Sequence, residues 1–89
     1  MGVVVESGAP VNRTDTGAIS ARSGTLLGFY VNSTTNGTIV LRDGGASGTA
    51  VTGTITPAIG FHRLPCYFTT SAHVTIANTL NVTFFFQAG

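Results

Sequence analysis

The sequence predicts an all-β protein with about seven short antiparallel strands, arranged in a β-sandwich or jelly-roll-like barrel. An extended N-terminal arm is predicted to precede this domain in the chain. Segments rich in Thr, Val, Ile and Phe alternate with Gly, Asn and Asp, and turn signals recur about every ten residues. Apolar residues nowhere recur at helical spacing over about ten residues, so we expect no helix.

We assign residues 1–12 to the arm and residues 13–89 to a single β-sandwich domain. The arm combines the β-branched run Val3-Val4-Val5 with a following Gly-Ala-Pro, which favours an extended segment without helical period. The domain opens with a weak strand over residues 14–21, in which Ile19 is the main apolar residue.

Two β-hairpins are expected from short turn signals. Asn-Gly between two apolar β runs is the strongest short-range hairpin signal, and Asn-Thr between two such runs predicts a second tight turn. The predicted hairpins join residues 25–32 to 38–42 through Asn36-Gly37, and residues 73–77 to 80–86 through Asn78-Thr79.

Side-chain alternation assigns the residues of two strands to faces. The central strand is expected to place Leu27, Phe29 and Val31 on one face, and Leu26 with Tyr30 on the other. In the last strand the alternate residues Leu80, Val82, Phe84 and Phe86 face inward, which leaves Phe85 on the opposite face. An aromatic ring there is costly unless it is covered, and a neighbouring subunit would supply the cover.

The middle of the chain contains a glycine-rich loop over residues 43–48, followed by a strand over residues 51–56. After a turn beginning at Pro57 comes a run over residues 61–68 that Pro65 interrupts. Because proline cannot donate to a β-ladder, this run is either an edge strand or one that bulges around Pro65.

Size and charge together favour a protein that works in an oligomer. A chain of 89 residues with one cysteine, Cys66, has a marginal core and can form neither an internal disulfide nor a thiolate metal cluster. Only 8% of the residues are charged, against roughly 25% in an ordinary soluble domain. With no lysine and four arginines there is no basic patch for nucleic acid.

No apolar run approaches the roughly 18 residues of a spanning helix, and the start of the chain lacks a basic region followed by a long apolar one. We therefore expect no membrane association and synthesis in the cytoplasm. This compartment also fits the unpaired Cys66, which we expect to be a packed thiol.

Candidate chemistry is sparse, and we predict no catalytic, cofactor-binding or metal-binding residue. Asp15-Thr16-Gly17 has the form of the motif that dimeric aspartic proteases carry once per chain, but Arg13-Thr14 precedes it where those enzymes have an apolar strand. A plain turn is the favoured interpretation, and a dimeric aspartic protease through Asp15 stays a remote alternative. His62 and His73 lack companions at ligand spacing and are expected at a surface or interface.

Four stretches of this sequence resemble virion proteins of tailed bacteriophages, namely small capsid decoration (cement) proteins and head-fibre domains. They are Gly24-Thr25-Leu26-Leu27-Gly28-Phe29-Tyr30-Val31-Asn32, Gly37-Thr38-Ile39-Val40-Leu41-Arg42-Asp43, Gly53-Thr54-Ile55-Thr56-Pro57 and Asn81-Val82-Thr83-Phe84-Phe85. The resemblance covers about residues 24–87 and rests on strand and turn composition.

The resemblance implies a non-enzymatic β-sandwich or jelly-roll-like module, often trimeric, that binds the capsid exterior and stabilises the shell. Its partners would be the major capsid protein and further copies of itself, with no cofactor. We expect Val3, Val4 and Val5 to contact the capsid or a neighbour, and Tyr30 with Phe85 to form a subunit interface. The alternative is a fibre or tail-tip module that binds a host receptor or carbohydrate through Tyr30, His62, Tyr67 and polar side chains.

Overall fold

The computed structural model describes residues 9–89, and these form one open antiparallel sheet of six strands. The strands are β1 (Ala9–Arg13), β2 (Gly17–Ser20), β3 (Gly24–Asp43), β4 (Thr49–Ala50), β5 (Gly60–Phe68) and β6 (Ala72–Ala88). The predicted all-β class is confirmed. Over this described range there is no helix with the length and apolar character needed to cross a membrane.

Two long strands organise the sheet. β3 and β6 pair antiparallel along their whole lengths, from Gly24 opposite Ala88 to Asp43 opposite Ala72. In what we call the first half, the start of β3 also pairs with β5, and the end of β6 with β1. In the second half, the end of β3 pairs with β4, and the start of β6 with β2.

Both predicted hairpins are wrong, because β3 runs through Asn36-Gly37 and β6 runs through Asn78-Thr79. The residues that predicted the turns lie instead within the two strands, opposite each other or nearly so. Asn36 (φ 56°) and Asn78 (φ 62°) both adopt the left-handed conformation, and Asn78 Nδ2 donates to Asn36 O at 2.7 Å. Thr79 is opposite both Thr35 and Asn36, so the signals that suggested two chain reversals form one irregularity across the β3–β6 ladder.

The β3–β6 ribbon is bent. A strand of 20 residues would be about 60 Å long if straight, whereas the longest dimension of the molecule is 45 Å. The register shifts at three places along β3, and β-bulges of this kind bend and twist a strand.

The face predicted for Leu26 is wrong because the register shifts between Leu26 and Gly28. The shift places an additional residue, Leu27, in β3, so Leu26 joins Phe29 and Val31 in the buried core while Leu27 is only half-buried. The inward alternation predicted for β6 is confirmed. The core residues are Ile19, Leu26, Phe29, Val31, Ile39, Leu41, Phe68, Ala72, Val74, Leu80, Val82, Phe84 and Phe86.

The remaining elements line the edges of the sheet. β5 pairs only with β3 among the described residues, and its register shifts where Pro65 lies, which confirms both interpretations of that proline. Of the predicted strand 51–56, only Ile55 forms a bridge, to Ile39. Residues 9–12 of the predicted arm belong to β1, whereas Val3, Val4 and Val5 lie outside the described residues.

Candidate functional site

The outer face of the first half, opposite the core, exposes a group of aromatic side chains that we call the aromatic patch: Tyr30, Phe61, Tyr67 and Phe85. Tyr30 is 43% exposed, Phe61 56% and Tyr67 57%, while Phe85 is half-buried. Large aromatic side chains normally contribute to a core or an interface, so their exposure on one face makes this face a candidate contact surface.

Strand register brings the patch together. Tyr30 of β3 is opposite Phe61 of β5, and Gly28 is opposite both Phe85 and Arg63. The rings of Phe61 and Phe85 approach to a centroid distance of 6.2 Å at an interplanar angle of 54°. They meet above Gly28, where a Cβ would come within 3.0 Å of Phe61 Cζ. Because residue 28 is a glycine, the Phe61 ring can reach over β3 toward Phe85.

Beside the aromatic patch lies a group of polar side chains that we call the amide row: Asn12, Asn32, Asn81 and Thr83. Asn12 Nδ2 donates to Asn81 Oδ1 at 2.8 Å and to Thr83 Oγ1 at 3.1 Å. From the other side, Asn32 Nδ2 donates to the same two oxygens, at 3.2 Å and 3.1 Å. Three strands thus contribute side chains to one hydrogen-bonded network on the outer face.

The amide row and the aromatic patch are contiguous. Thr83 is opposite Asn12 on β1 and opposite Tyr30 on β3, and Tyr30 is in turn opposite Phe61 on β5. The sheet therefore presents amide, hydroxyl, phenol and phenyl groups in order across four strands. This gradient from polar to aromatic is the most distinctive surface feature of the described chain.

Asp15 stands in an exposed loop between β1 and β2. Its side chain is 79% exposed and forms an ion pair with Arg13 at 2.8 Å. The neighbouring Thr16 hydroxyl accepts from Ile76 N at 2.9 Å and lies 3.1 Å from Ile76 O, which fixes the loop to β6. Asp15 is thus exposed in a loop, whereas the paired aspartates of such a protease lie in an enclosed site.

Asp43 holds the connection between β5 and β6. Its carboxylate accepts hydrogen bonds from Thr69 N at 2.8 Å, Thr70 N at 2.9 Å and Ser71 N at 3.3 Å, and from the Thr69 hydroxyl at 2.8 Å. These donors, with the Thr69 and Thr70 amides contributing most, lower the pKa of Asp43 from 3.8 to about 2. The role is structural, and sequence reasoning had placed Asp43 only in a loop.

The two histidines, which we expect at a surface or an interface, are half-buried (His62) and buried (His73) in the described chain. The half-buried His62 stacks on Phe29 of the core with ring centroids 5.1 Å apart, and its Nε2 lies 2.7 Å from Ala58 O. His73 is only 8% exposed, and its buried Nδ1 meets no partner among residues 9–89. Burial lowers the pKa of His73, and the charges of Arg13 and Arg42 lower it further.

Cys66 is half-buried in β5 and faces the core, where burial raises the pKa of its thiol. A raised pKa reduces the thiolate fraction, which agrees with a packed residue. Within residues 9–89, no group of three or more His, Cys, Asp and Glu side chains is placed to hold a metal ion.

Among the predicted contact residues, Tyr30 and Phe85 share the outer face, but Val3, Val4 and Val5 lie outside the described residues. Of the residues proposed for a receptor or carbohydrate site, Tyr67 joins Tyr30 on that face, and His62 does not.

Sequence reasoning missed Phe61 as a patch residue and missed the amide row. Alternation along β5 could have paired Phe61 with Tyr67, whereas the amide row depends on strand pairing that no local pattern specifies.

No protein-family model, curated protein or solved structure matches this chain.

Proposed function

We propose that this chain is a capsid decoration (cement) protein of a tailed bacteriophage, a non-enzymatic virion protein that binds and stabilises the head shell as a homo-oligomer. The observation that carries the proposal is the aromatic patch, exposed on one face of a chain in which only 8% of the residues are charged. We choose the phage head shell as the partner because residues 24–87 resemble such proteins. The proposed location is the capsid exterior, after synthesis in the host cytoplasm.

The aromatic patch suits contact between copies of the chain. Burying an aromatic side chain stabilises an interface strongly, and Tyr and Phe are enriched at the centres of interfaces. The edges of the sheet suit such contact less, because β1 contains Pro10 and β5 contains Pro65, and proline on an edge strand discourages further strand pairing. We therefore assign the subunit interface, in a likewise proposed trimer, to Tyr30 and Phe85 with Phe61 and Tyr67 beside them.

Shell binding would then combine many weak contacts. In an oligomer each subunit offers a copy of the same shell-binding surface, and linked copies bind far more tightly than one alone. We propose that Val3, Val4 and Val5 supply one such contact, to the major capsid protein or to a neighbour. We also propose that the bent sheet closes toward a β-sandwich or jelly-roll-like arrangement, which the core cluster formed by residues 9–89 supports.

The test measures mass and shell binding in one sample. Light scattering of the purified chain should give a trimer, and the same sample should co-sediment with emptied phage capsids. Phe61→Ser removes an aromatic side chain that is more than half exposed, so the fold should persist while the interface weakens by about 2 kcal/mol, or about thirtyfold in affinity. Val51→Ser, at a 42% exposed site outside the patch, is the matched control.

Other results would contradict specific parts of the proposal. A monomer that ignores shells would refute it as a whole. If Phe61→Ser and Val51→Ser both left the trimer intact, the patch would not be the interface. Deletion of residues 1–8 leaves β1 in place and should reduce the number of shell sites that the chain occupies. If the shortened chain still decorated shells at full occupancy, the three valines would not be part of the contact. Asp15→Asn should leave shell binding unchanged, whereas a protease would lose a cleavage activity.

A further inference from the structure

The hydrogen bonds within the amide row determine which of its polar groups are engaged with each other and which are left to bind a ligand. An amide oxygen and a hydroxyl oxygen each accept two hydrogen bonds, and both Asn81 Oδ1 and Thr83 Oγ1 receive two from Asn12 and Asn32. The acceptors Asn12 Oδ1 and Asn32 Oδ1, and the donors Asn81 Nδ2 and Thr83 O–H, meet no partner among residues 9–89. The row therefore presents two donors between two acceptors.

This arrangement selects for a ligand that is neutral and rich in hydroxyl groups. A hydroxyl both donates and accepts, so adjacent hydroxyls can satisfy donors and acceptors that alternate across the strands. The row itself contains no charged side chain, and a charged ligand would gain most from charged partners. Nucleic acid is disfavoured because nothing in the row neutralises phosphate.

The amide row is also pre-organised. The mutual hydrogen bonds hold Asn12 and Asn32 against β6 before any ligand arrives, which reduces the ordering cost of binding. Tyr30 is opposite Thr83 and brings an aromatic ring and a phenolic hydroxyl to the edge of the row. Polar groups beside an aromatic ring match the alternating polar edges and apolar faces of a sugar ring.

We propose that Asn12, Asn32, Asn81 and Thr83, bordered by Tyr30, form a binding site for neutral carbohydrate. The site lies on an open sheet face and accepts a chain of sugar units rather than an enclosed small molecule. It lies at the margin of the proposed subunit interface, with Tyr30 between the two. A decorated shell would carry many copies of it, so weak single contacts would add up to firm attachment to a polysaccharide.

The test is a titration of ¹⁵N-labelled full-length protein with the methyl glycosides of glucose, galactose, mannose and N-acetylglucosamine, followed through the side-chain amide resonances. At least one sugar should shift the Nδ2 signals of Asn12, Asn32 and Asn81. The Asn78 amide, which is engaged with Asn36 O, is the internal control and should not move. Glucuronic acid, which adds a charge, should bind no better than glucose.

Asn81→Asp separates the ligand-binding role of Asn81 from its structural role. A carboxylate keeps the acceptors for Asn12 and Asn32 but removes the N–H donor of Asn81, so affinity for the sugar should fall about tenfold. Gln87→Ala, at an exposed residue of β6 away from the row, should leave the affinity unchanged.

The proposal would be overturned if no sugar shifted the three asparagine signals, or if Asn81→Asp left sugar binding intact. Amide shifts that appear only with capsid protein would overturn it as well, by making the row a protein contact. The proposed decoration function is judged separately, because Asn81→Asp should co-sediment with capsids like the parent chain whether or not sugar binds.

Discussion

Gly28→Ala tests the close packing beneath the aromatic patch. A Cβ at residue 28 would lie 2.5 Å from His62 O and 3.0 Å from Phe61 Cζ. The Phe61 ring can swing toward solvent, since it is more than half exposed. His62 O belongs to the backbone of β5 and moves only if the β3–β5 ladder opens. The backbone contact therefore sets the cost of this substitution.

The size of the effect follows from overpacking. Inserting a methyl group where neighbours cannot yield costs about 1–3 kcal/mol. Gly53→Ala is a matched control, because a Cβ there meets nothing within 4 Å, and restricting the unfolded chain stabilises by about 0.4–1 kcal/mol. The two variants should thus differ by about 1.4–4 kcal/mol, or roughly 6–32 °C in Tm for a chain of this size.

Urea and thermal unfolding, followed by far-ultraviolet circular dichroism at one protein concentration, measure the difference. Gly28→Ala should unfold earlier than the parent chain, and Gly53→Ala at the same point or later. Equal stability of the two variants would refute the assigned register of β3 and β5, because that register alone places His62 O against residue 28.

Three further variants test other parts of the fold. Asn36→Ala should cost about 1 kcal/mol because the residue is left-handed, while Asn36→Gly should be nearly neutral in urea unfolding; equal losses would speak against this conformation. The pKa of Asp43 is about 2 in the folded chain and nearer 3.8 without its hydrogen bonds, so its stabilisation is complete above pH 3.8 and is lost as pH falls through 2. The Tm of Asp43→Asn should therefore vary less with pH over this range than the Tm of the parent chain. If both chains show the same pH dependence, Asp43 is not the cause of the lost stability in acid. Phe84→Ala removes a side chain with 0% exposure and should lower the free energy of unfolding in urea by about 3–5 kcal/mol. The loss for Phe85→Ala should be much smaller, because Phe85 is half-buried. Comparable losses would contradict the assigned faces of β6.

Side-chain alternation within a strand was readable from the sequence. The inward set Leu80, Val82, Phe84 and Phe86 and the outward Phe85 follow from a period of two, which each strand carries in its own residues. Alternation failed in β3, where the bulge at Leu27 moves Leu26 into the core. A bulge depends on how the partner strands align, so a single strand's pattern does not reveal it.

The turn signals show the same limit. The sequence by itself determined that Asn36 and Asn78 interrupt two apolar β runs, because asparagine tolerates the left-handed conformation that an interruption needs. Only the tertiary structure decided that the interruptions face each other across one bent ribbon instead of closing two hairpins. The pairing of β3 with β6 brings together residues far apart in the chain, and it assembles Asn12, Asn32 and Asn81 on one face in the same way. Local conformational preference specifies which residues can turn, whereas burial of a shared core selects which strands pair.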